Sequence, residues 1–162
     1  LAHLMGVRGG QRAGTAVAAV LHADPQGAVE HGGLGREAHL VPAGREATLT
    51  LAEALQRGQH VAMLVDQYMG NGVEVTFFGR KTKANPTLAR LLRQVDCPVH
   101  GVRIIRLPNH RFRAELSEEV KPVRDAEGQI DVQGTMQAVT SVIEGWVREY
   151  PDQWLWLHRR WR

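Results

Sequence analysis

Three clusters of residues have types and spacing suited to chemistry. Asp66 and Gln67 directly follow "HVAMLV", residues 60 to 65, a run apolar on both faces after its histidine. Open α/β sheets place ligand and catalytic groups just beyond the carboxyl ends of buried strands. A carboxylate cannot sit unpaired in a core, so Asp66 either belongs to a site or caps the loop that follows. Arg80, Lys81 and Lys83 follow the "FFG" of Phe77, Phe78 and Gly79 and offer charge to an anion, although lone surface charges contribute little. The third cluster closes the chain, where Trp154, Trp156 and Trp161 alternate with His158, Arg159, Arg160 and Arg162. Flat amphipathic rings with guanidinium groups suit phosphate recognition and the headgroup layer of an anionic bilayer. The competing reading has Trp154 and Trp156 sealing the core beneath the last helix, and the two combine naturally as tryptophans inward and arginines outward.

Two further motif matches carry no chemistry. "GLGREA", Gly33 to Ala38, fits a dinucleotide fingerprint, but no strand feeds directly into its glycines and no clean helix follows. His110 and Glu115 have a spacing at which a base and its orienting carboxylate could cooperate, yet on a strand an odd offset sends the two side chains to opposite faces.

The elements that must position these groups alternate along the chain. "TAVAAVL", residues 15 to 21, has strand length, and the Pro- and Gly-rich stretch after it reads as irregular chain. Residues 46 to 57 have Leu51, Ala52 and Leu55 at helical spacing, closed by Gly58 as a C′ residue. Residues 60 to 65 predict a strand buried inside a parallel sheet. A Gly/Asn-rich turn and "VEVTFFG" follow, then Asn85 and Pro86 as N-cap and first residue of a helix carrying Leu88, Leu91, Leu92 and Val95. Residues 97 to 105 read as a strand, and residues 111 to 117 as a half-buried antiparallel strand with Phe112, Ala114 and Leu116 on its covered face. A last helix near 135 to 150 sets Met136, Val139, Ile143, Trp146 and Val147 on one face. The sum is an α/β domain, a mixed β-sheet flanked by helices.

Composition narrows the class. A chain of 162 residues, 43% hydrophobic and 23% charged, predicts one globular domain. A net charge of +3, gathered near residues 80 to 113 and at the C-terminus, points to an anionic partner and not to nucleic acid, whose binders spread aromatic and basic groups along a groove. Cys97 is the single cysteine, which excludes an intrachain disulfide and a thiolate-rich zinc site; no metal is expected. No run is long enough to span a bilayer.

Taken together, "VAMLVDQYMGNGVEVTFFGRKTKANPTLARLLRQVDCPVHGVRI" and "EGWVREYPDQWLWLHRRWR" resemble the late lipid A acyltransferases, the lauroyl and myristoyl transferases of lipopolysaccharide biosynthesis. The resemblance is strong over residues 41 to 162 and weak over 1 to 40, within a single partial domain. It rests on the D-Q after the apolar strand, the V-x-F-F-G turn, the C-P-V strand and, above all, P-x-Q-W-x-W-x-H-R-R-W. The resemblance implies a glycerolipid-acyltransferase-like fold and transfer of a fatty acyl chain from an acyl carrier protein thioester to a hydroxyl of a Kdo-bearing lipid A precursor, with no cofactor. It also implies a place on the cytoplasmic face of the inner membrane, peripheral for this chain, with the carrier protein, the precursor and an anionic membrane surface as partners.

The chain departs from the family at the general base, a His in an H-x-x-x-x-[D/E] motif. Five positions after His3, His22, His31, His39 and His60 stand Arg8, Gly27, Arg36, Gly44 and Val65. The expectation is therefore a fragment that begins downstream of the base, with its N-terminal part missing, and is inactive alone; the alternative is a non-catalytic module binding anionic lipid or carrier protein. By resemblance Asp66 and Gln67 shape the acceptor pocket, Arg45 is the candidate anion or oxyanion contact, and Phe77, Phe78, Gly79 and Arg80 line the substrate side. Trp154, Trp156, His158, Arg159, Arg160 and Trp161 are the candidate membrane or phosphate contacts.

Overall fold

The computed structural model describes residues 18–21, 38–41, 46–154, 156–157 and 159–161. Contacts cluster into two compact units that divide between Leu64 and Val65.

In the first unit, β1 (Ala18–Leu21) is flanked by β2 (Ala38–Val41) and β3 (His60–Met63), and both neighbours run antiparallel to it. Helix α1 (Ala47–Gln56) joins β2 to β3 and buries Leu51, Ala52 and Ala54. Its end follows the sequence: Gly58 takes φ 76°, its N–H reaches the Leu55 carbonyl, and the Gln59 N–H reaches that of Ala54. These two bonds are the Schellman pattern, which favours glycine because a Cβ is disfavoured at positive φ.

The parallel, deeply buried strand expected over residues 60 to 65 is not found. β3 is shorter, pairs antiparallel with β1, and its residues are at most half-buried. A short apolar run fixes neither strand direction nor depth, because those depend on which neighbour pairs with it.

The second unit is built on helix α3 (Val132–Glu149), whose Asp131 caps the N-terminus by accepting the Gln133 N–H at 3.0 Å. Met136, Val139, Ile143 and Val147 face inward, as their spacing predicts. Against them pack β4 (Tyr68–Phe77), β5 (Arg80–Ala84) and the short helix α2 (Thr87–Leu92), in a core that includes Val75, Phe77, Ala84, Ala89, Leu92, Ile130 and Trp154. α2 starts one residue later than expected, with Pro86 and not Asn85 at its N-cap, and the Asn85 side-chain oxygen accepts the Thr87 N–H at 3.0 Å and the Thr87 hydroxyl at 2.7 Å. The Gly/Asn-rich segment is an irregularity inside β4. Tyr68 and Val73 both stand opposite Ala84, and a Cβ on Gly72 would overlap the Ala84 carbonyl.

β6 (His100–Leu107) and β7 (Arg111–Glu119) form a separate antiparallel hairpin. Its alternation is as predicted but its faces are reversed. Phe112 and Leu116 are 66% and 68% exposed, with Val102, opposite Leu116, 50% exposed. The covered face combines buried Ile105 with polar groups: Arg103 bonds Glu115 and Glu149, Gly101 N–H donates to the Ser117 hydroxyl, and a Cβ on Gly101 would overlap the Trp146 ring. The described strands thus make three antiparallel groups in a mixed α/β chain, and not one mixed sheet, because each of the last two pairs closes through its own tight turn.

Candidate functional site

The turn between β4 and β5 is the centre of the second unit. Its two loop residues, Phe78 and Gly79, have φ 52° and 71°, the double positive φ of a type I′ hairpin turn. Glycine adopts that conformation freely, whereas a phenylalanine does so only under constraint. The constraints come from α3. Glu144 accepts the Phe78 N–H at 2.7 Å, and the Arg148 guanidinium lies 4.6 Å from the Phe78 ring centre while bonding Glu144 at 2.6 Å. Burial works to raise the Glu144 pKa, but the Phe78 N–H and Arg148 outweigh it and hold the carboxyl below the usual glutamate range.

The C-terminal segment closes over the same turn. Tyr150 ends α3, a 3₁₀ turn spans Pro151–Gln153, and the chain then folds back along β5. Phe77 is fully buried, with ring centroids of Trp154 at 6.0 Å and Trp161 at 5.6 Å. Trp161 Nε1 donates to the Phe77 carbonyl at 3.2 Å, and Arg80 lies over the Trp161 ring at 5.3 Å. Trp156 is half-exposed, 6.3 Å from the Phe78 ring, and donates to the Pro151 carbonyl at 2.7 Å. The buried Thr82 hydroxyl donates to the Arg160 carbonyl.

Arg160 overturns the outward placement of the arginines. It is 2% exposed, its Cζ stands 5.4 Å from the Phe77 ring centre, and Nη1 reaches the Lys83 carbonyl at 3.5 Å. Burial pushes its pKa down while the Asp66 charge pushes it up. A guanidinium remains protonated throughout, so it faces the inside of the fold as a cation and does not face a bilayer. Arg159, beside it, is exposed as expected. Trp154 is in the core and Trp161 half-buried, so of the three tryptophans only Trp156 presents much surface.

The structure therefore packs the turn and the C-terminal stretch together and sets the Asp66 loop at the other end of the same hairpin. Asp66 and Gln67 are half-buried in the loop before β4, Phe77 to Arg80 form the turn, and the terminal W-x-W-x-x-R-R-W clasps that turn. Arg45 and His158 lie outside the described residues. Glu144 and Arg148, missed from the sequence, hold the turn from α3; their i, i+4 spacing was the available signal, but such pairs are common on solvated helix faces.

No other described group competes as a centre of reaction. Glu115 is engaged by Arg103 at 2.5 Å and Arg113 at 2.7 Å, while His110 sits in the hairpin turn at φ 54°. Burial and the neighbouring Asp96 raise the Cys97 pKa, which disfavours the reactive thiolate. Among the described residues no three His, Cys, Asp or Glu side chains are grouped to hold a metal, and no helix is long and apolar enough to cross a membrane.

No curated protein matches the chain. Residues 36–162 match the family model of the bacterial lipid A biosynthesis acyltransferases. That span is well over half of the sequence and contains the Asp66 loop, the turn and the C-terminal stretch. The chain belongs to the bacterial lipid A biosynthesis acyltransferase family.

Proposed function

We propose that the chain supplies the acceptor side of an acyl transfer from an acyl carrier protein thioester to a hydroxyl of a Kdo-bearing lipid A precursor. The family match over residues 36–162 carries this reading. In the reaction the acceptor oxygen attacks the thioester carbonyl, a tetrahedral oxyanion forms and collapses, and the carrier thiol leaves with the proton taken from the hydroxyl. Asp66 and Gln67 shape the acceptor pocket. Arg80 and Arg159, both exposed, meet the phosphates of the precursor or the acidic carrier protein. Phe77, Phe78 and Gly79 act by fixing the direction in which Arg80 leaves the turn. Arg45 serves as an oxyanion contact. The protein works at the cytoplasmic face of the inner membrane, with Trp156 and Arg159 as the exposed members of the C-terminal cluster available to a headgroup layer.

No histidine before Asp66 has a carboxylate five positions on, and without a base the hydroxyl is a poor nucleophile. The same observation favours a second reading, a module that binds anionic lipid or carrier protein without turnover. Both are tested on the purified 162-residue chain with a carrier-protein thioester and a lipid A precursor. The expected result is precursor binding and no transfer. Turnover refutes the expectation that these residues lack a base, failure to bind the precursor refutes the first reading, and failure to bind both the precursor and the carrier protein refutes both.

A further inference from the structure

Arg160 is the only charged residue in the buried class among the described residues. A guanidinium so enclosed requires an opposing charge or a full set of acceptors. Among the described residues the acceptors fall short: Nε has no hydrogen-bond partner there, and the Lys83 carbonyl is at the limiting distance of 3.5 Å from Nη1. The Phe77 ring adds only the attraction of its face. The neighbouring cations have their own partners, since Lys83 Nζ donates to the Gly70 carbonyl at 3.0 Å, Lys81 pairs with Glu74 at 2.9 Å, and Arg80 lies over Trp161.

The sheet register shows where the opposing charge enters. Tyr68 stands opposite Ala84, so the chain just before Tyr68 is delivered to the end of β5, beside the Lys83 carbonyl that Arg160 meets. That chain is Val65, Asp66 and Gln67. The acidic group whose charge acts on Arg160 is Asp66.

We propose that Arg160 is a positioning residue for Asp66: from the end of the chain, anchored by Thr82 and by the Phe77 ring, it holds the Asp66 loop at the end of β5 and sets the orientation of its carboxylate. The C-terminal cluster then serves the acceptor side from within. That Asp66 acts on the acceptor rests on the acyltransferase reading; the pairing itself does not.

The test follows the titration of the Asp66 carboxyl by carbon NMR in the full chain. Arg160→Gln removes the charge and keeps a planar polar group, and Asp66 is expected to titrate at higher pH than in the unchanged chain. Arg159→Gln, at the exposed neighbour, leaves the titration in place, and Arg160→Lys restores it in part. An Asp66 titration unmoved by Arg160→Gln overturns the pairing. Should that variant fail to fold, the melting temperatures of Asp66→Asn, Arg160→Lys and the double variant decide: the effect of Asp66→Asn shrinks in the Lys background if the two are coupled, and strictly additive shifts overturn the proposal. Binding to lipid A precursor in micelles separates the two levels, with similar weakening by Asp66→Asn and Arg160→Lys expected. A chain that shows the titration coupling but binds no precursor refutes the acceptor reading and leaves the pairing standing.

Discussion

The C-terminal segment and the β6–β7 hairpin each set an arginine against aromatic rings, and they treat it in opposite ways. At the hairpin, Arg103 is clasped by Glu115 and Glu149 while the rings of Trp146 and Tyr150 lie 5.9 and 5.4 Å from its Cζ. Its hydrogen bond to Glu149 leads the forces that raise its pKa, against a smaller opposing cost of burial. Arg160 has a ring, one distant carbonyl and an unpaired Nε, and burial dominates its shift in the opposite direction. Arg103 is near water and surrounded by carboxylates, so losing one contact leaves others. Arg160 has little in reserve. The apolar surfaces differ in the same sense: Trp154 and Trp161 close a core, whereas the hairpin leaves Val102, Phe112 and Leu116 outside.

The sharpest way to break this comparison is to remove the ring on which the C-terminal segment is seated. Phe77 has no exposed surface and touches Phe78, Trp154, Trp161 and Arg160. Phe77→Ala should cost about 3 to 5 kcal/mol, as aromatic-to-alanine changes in cores do. Denaturant unfolding measures the loss, and tryptophan fluorescence should report hydration of Trp154 and Trp161 at denaturant concentrations where the unchanged chain is still folded. A loss below about 1 kcal/mol would mean that the segment is held elsewhere.

A smaller effect separates the two neighbouring arginines. Arg160→Ala leaves a void against Phe77 and removes the charge facing Asp66, and should cost about 2 to 4 kcal/mol. Arg159→Ala, at an exposed position, should stay within about 0.5 kcal/mol of the unchanged chain. Equal costs in thermal melts would erase the distinction between inward and outward arginines.

These two arginines also mark where the sequence is legible and where it is not. Local signals read well: Gly58 closes α1, Asn85 and Pro86 open α2, and the spacing of Met136, Val139, Ile143 and Val147 names the inner face of α3. Each depends on a few adjacent backbone groups. The D-Q, F-F-G and W-x-W-x-H-R-R-W stretches are equally visible as candidates, and the structure packs the last two together through Phe77, Arg160 and Trp161. What the sequence conceals is set by distant partners. Residue type alone sends Arg160 outward, whereas in the structure it is buried against the Phe77 ring, beside the Lys83 carbonyl and under the charge of Asp66. Alternation alone sends Phe112 and Leu116 inward, but Gly101 leaves room for Trp146 on the opposite face, where Arg103 and the carboxylates satisfy one another. Strand direction is hidden for the same reason, since β3 is antiparallel only through its pairing with β1.

Acid sharpens the comparison on the α3 side of the turn. The native Glu144 carboxyl titrates below its unfolded value, because the Phe78 N–H and Arg148 outweigh the cost of burial. A depressed carboxylate stabilises the fold fully above the unfolded pKa, and that contribution is lost as pH falls through the lower native value. Glu144→Gln keeps an acceptor for Phe78 but cannot titrate. It should therefore lower stability at neutral pH by about 1 kcal/mol and flatten the acid limb of the stability curve. An acid limb of unchanged slope would remove Glu144 from the forces that hold the turn.

The smallest effect is expected on the hairpin. Phe112 and Leu116 are about two-thirds exposed, so each has already left most of its apolar surface in water. Phe112→Thr and Leu116→Thr remove little buried area and place a β-branched residue suited to a strand at positions 112 and 116. Each should change unfolding free energy by no more than about 0.5 kcal/mol, while raising solubility by breaking up an exposed apolar patch. Chemical denaturation and the concentration at which the chain begins to self-associate give the two readouts. A cost of about 2 kcal/mol or more for either substitution would place these side chains in a core, and the contrast between a C-terminal segment that buries its rings and a hairpin that does not would disappear.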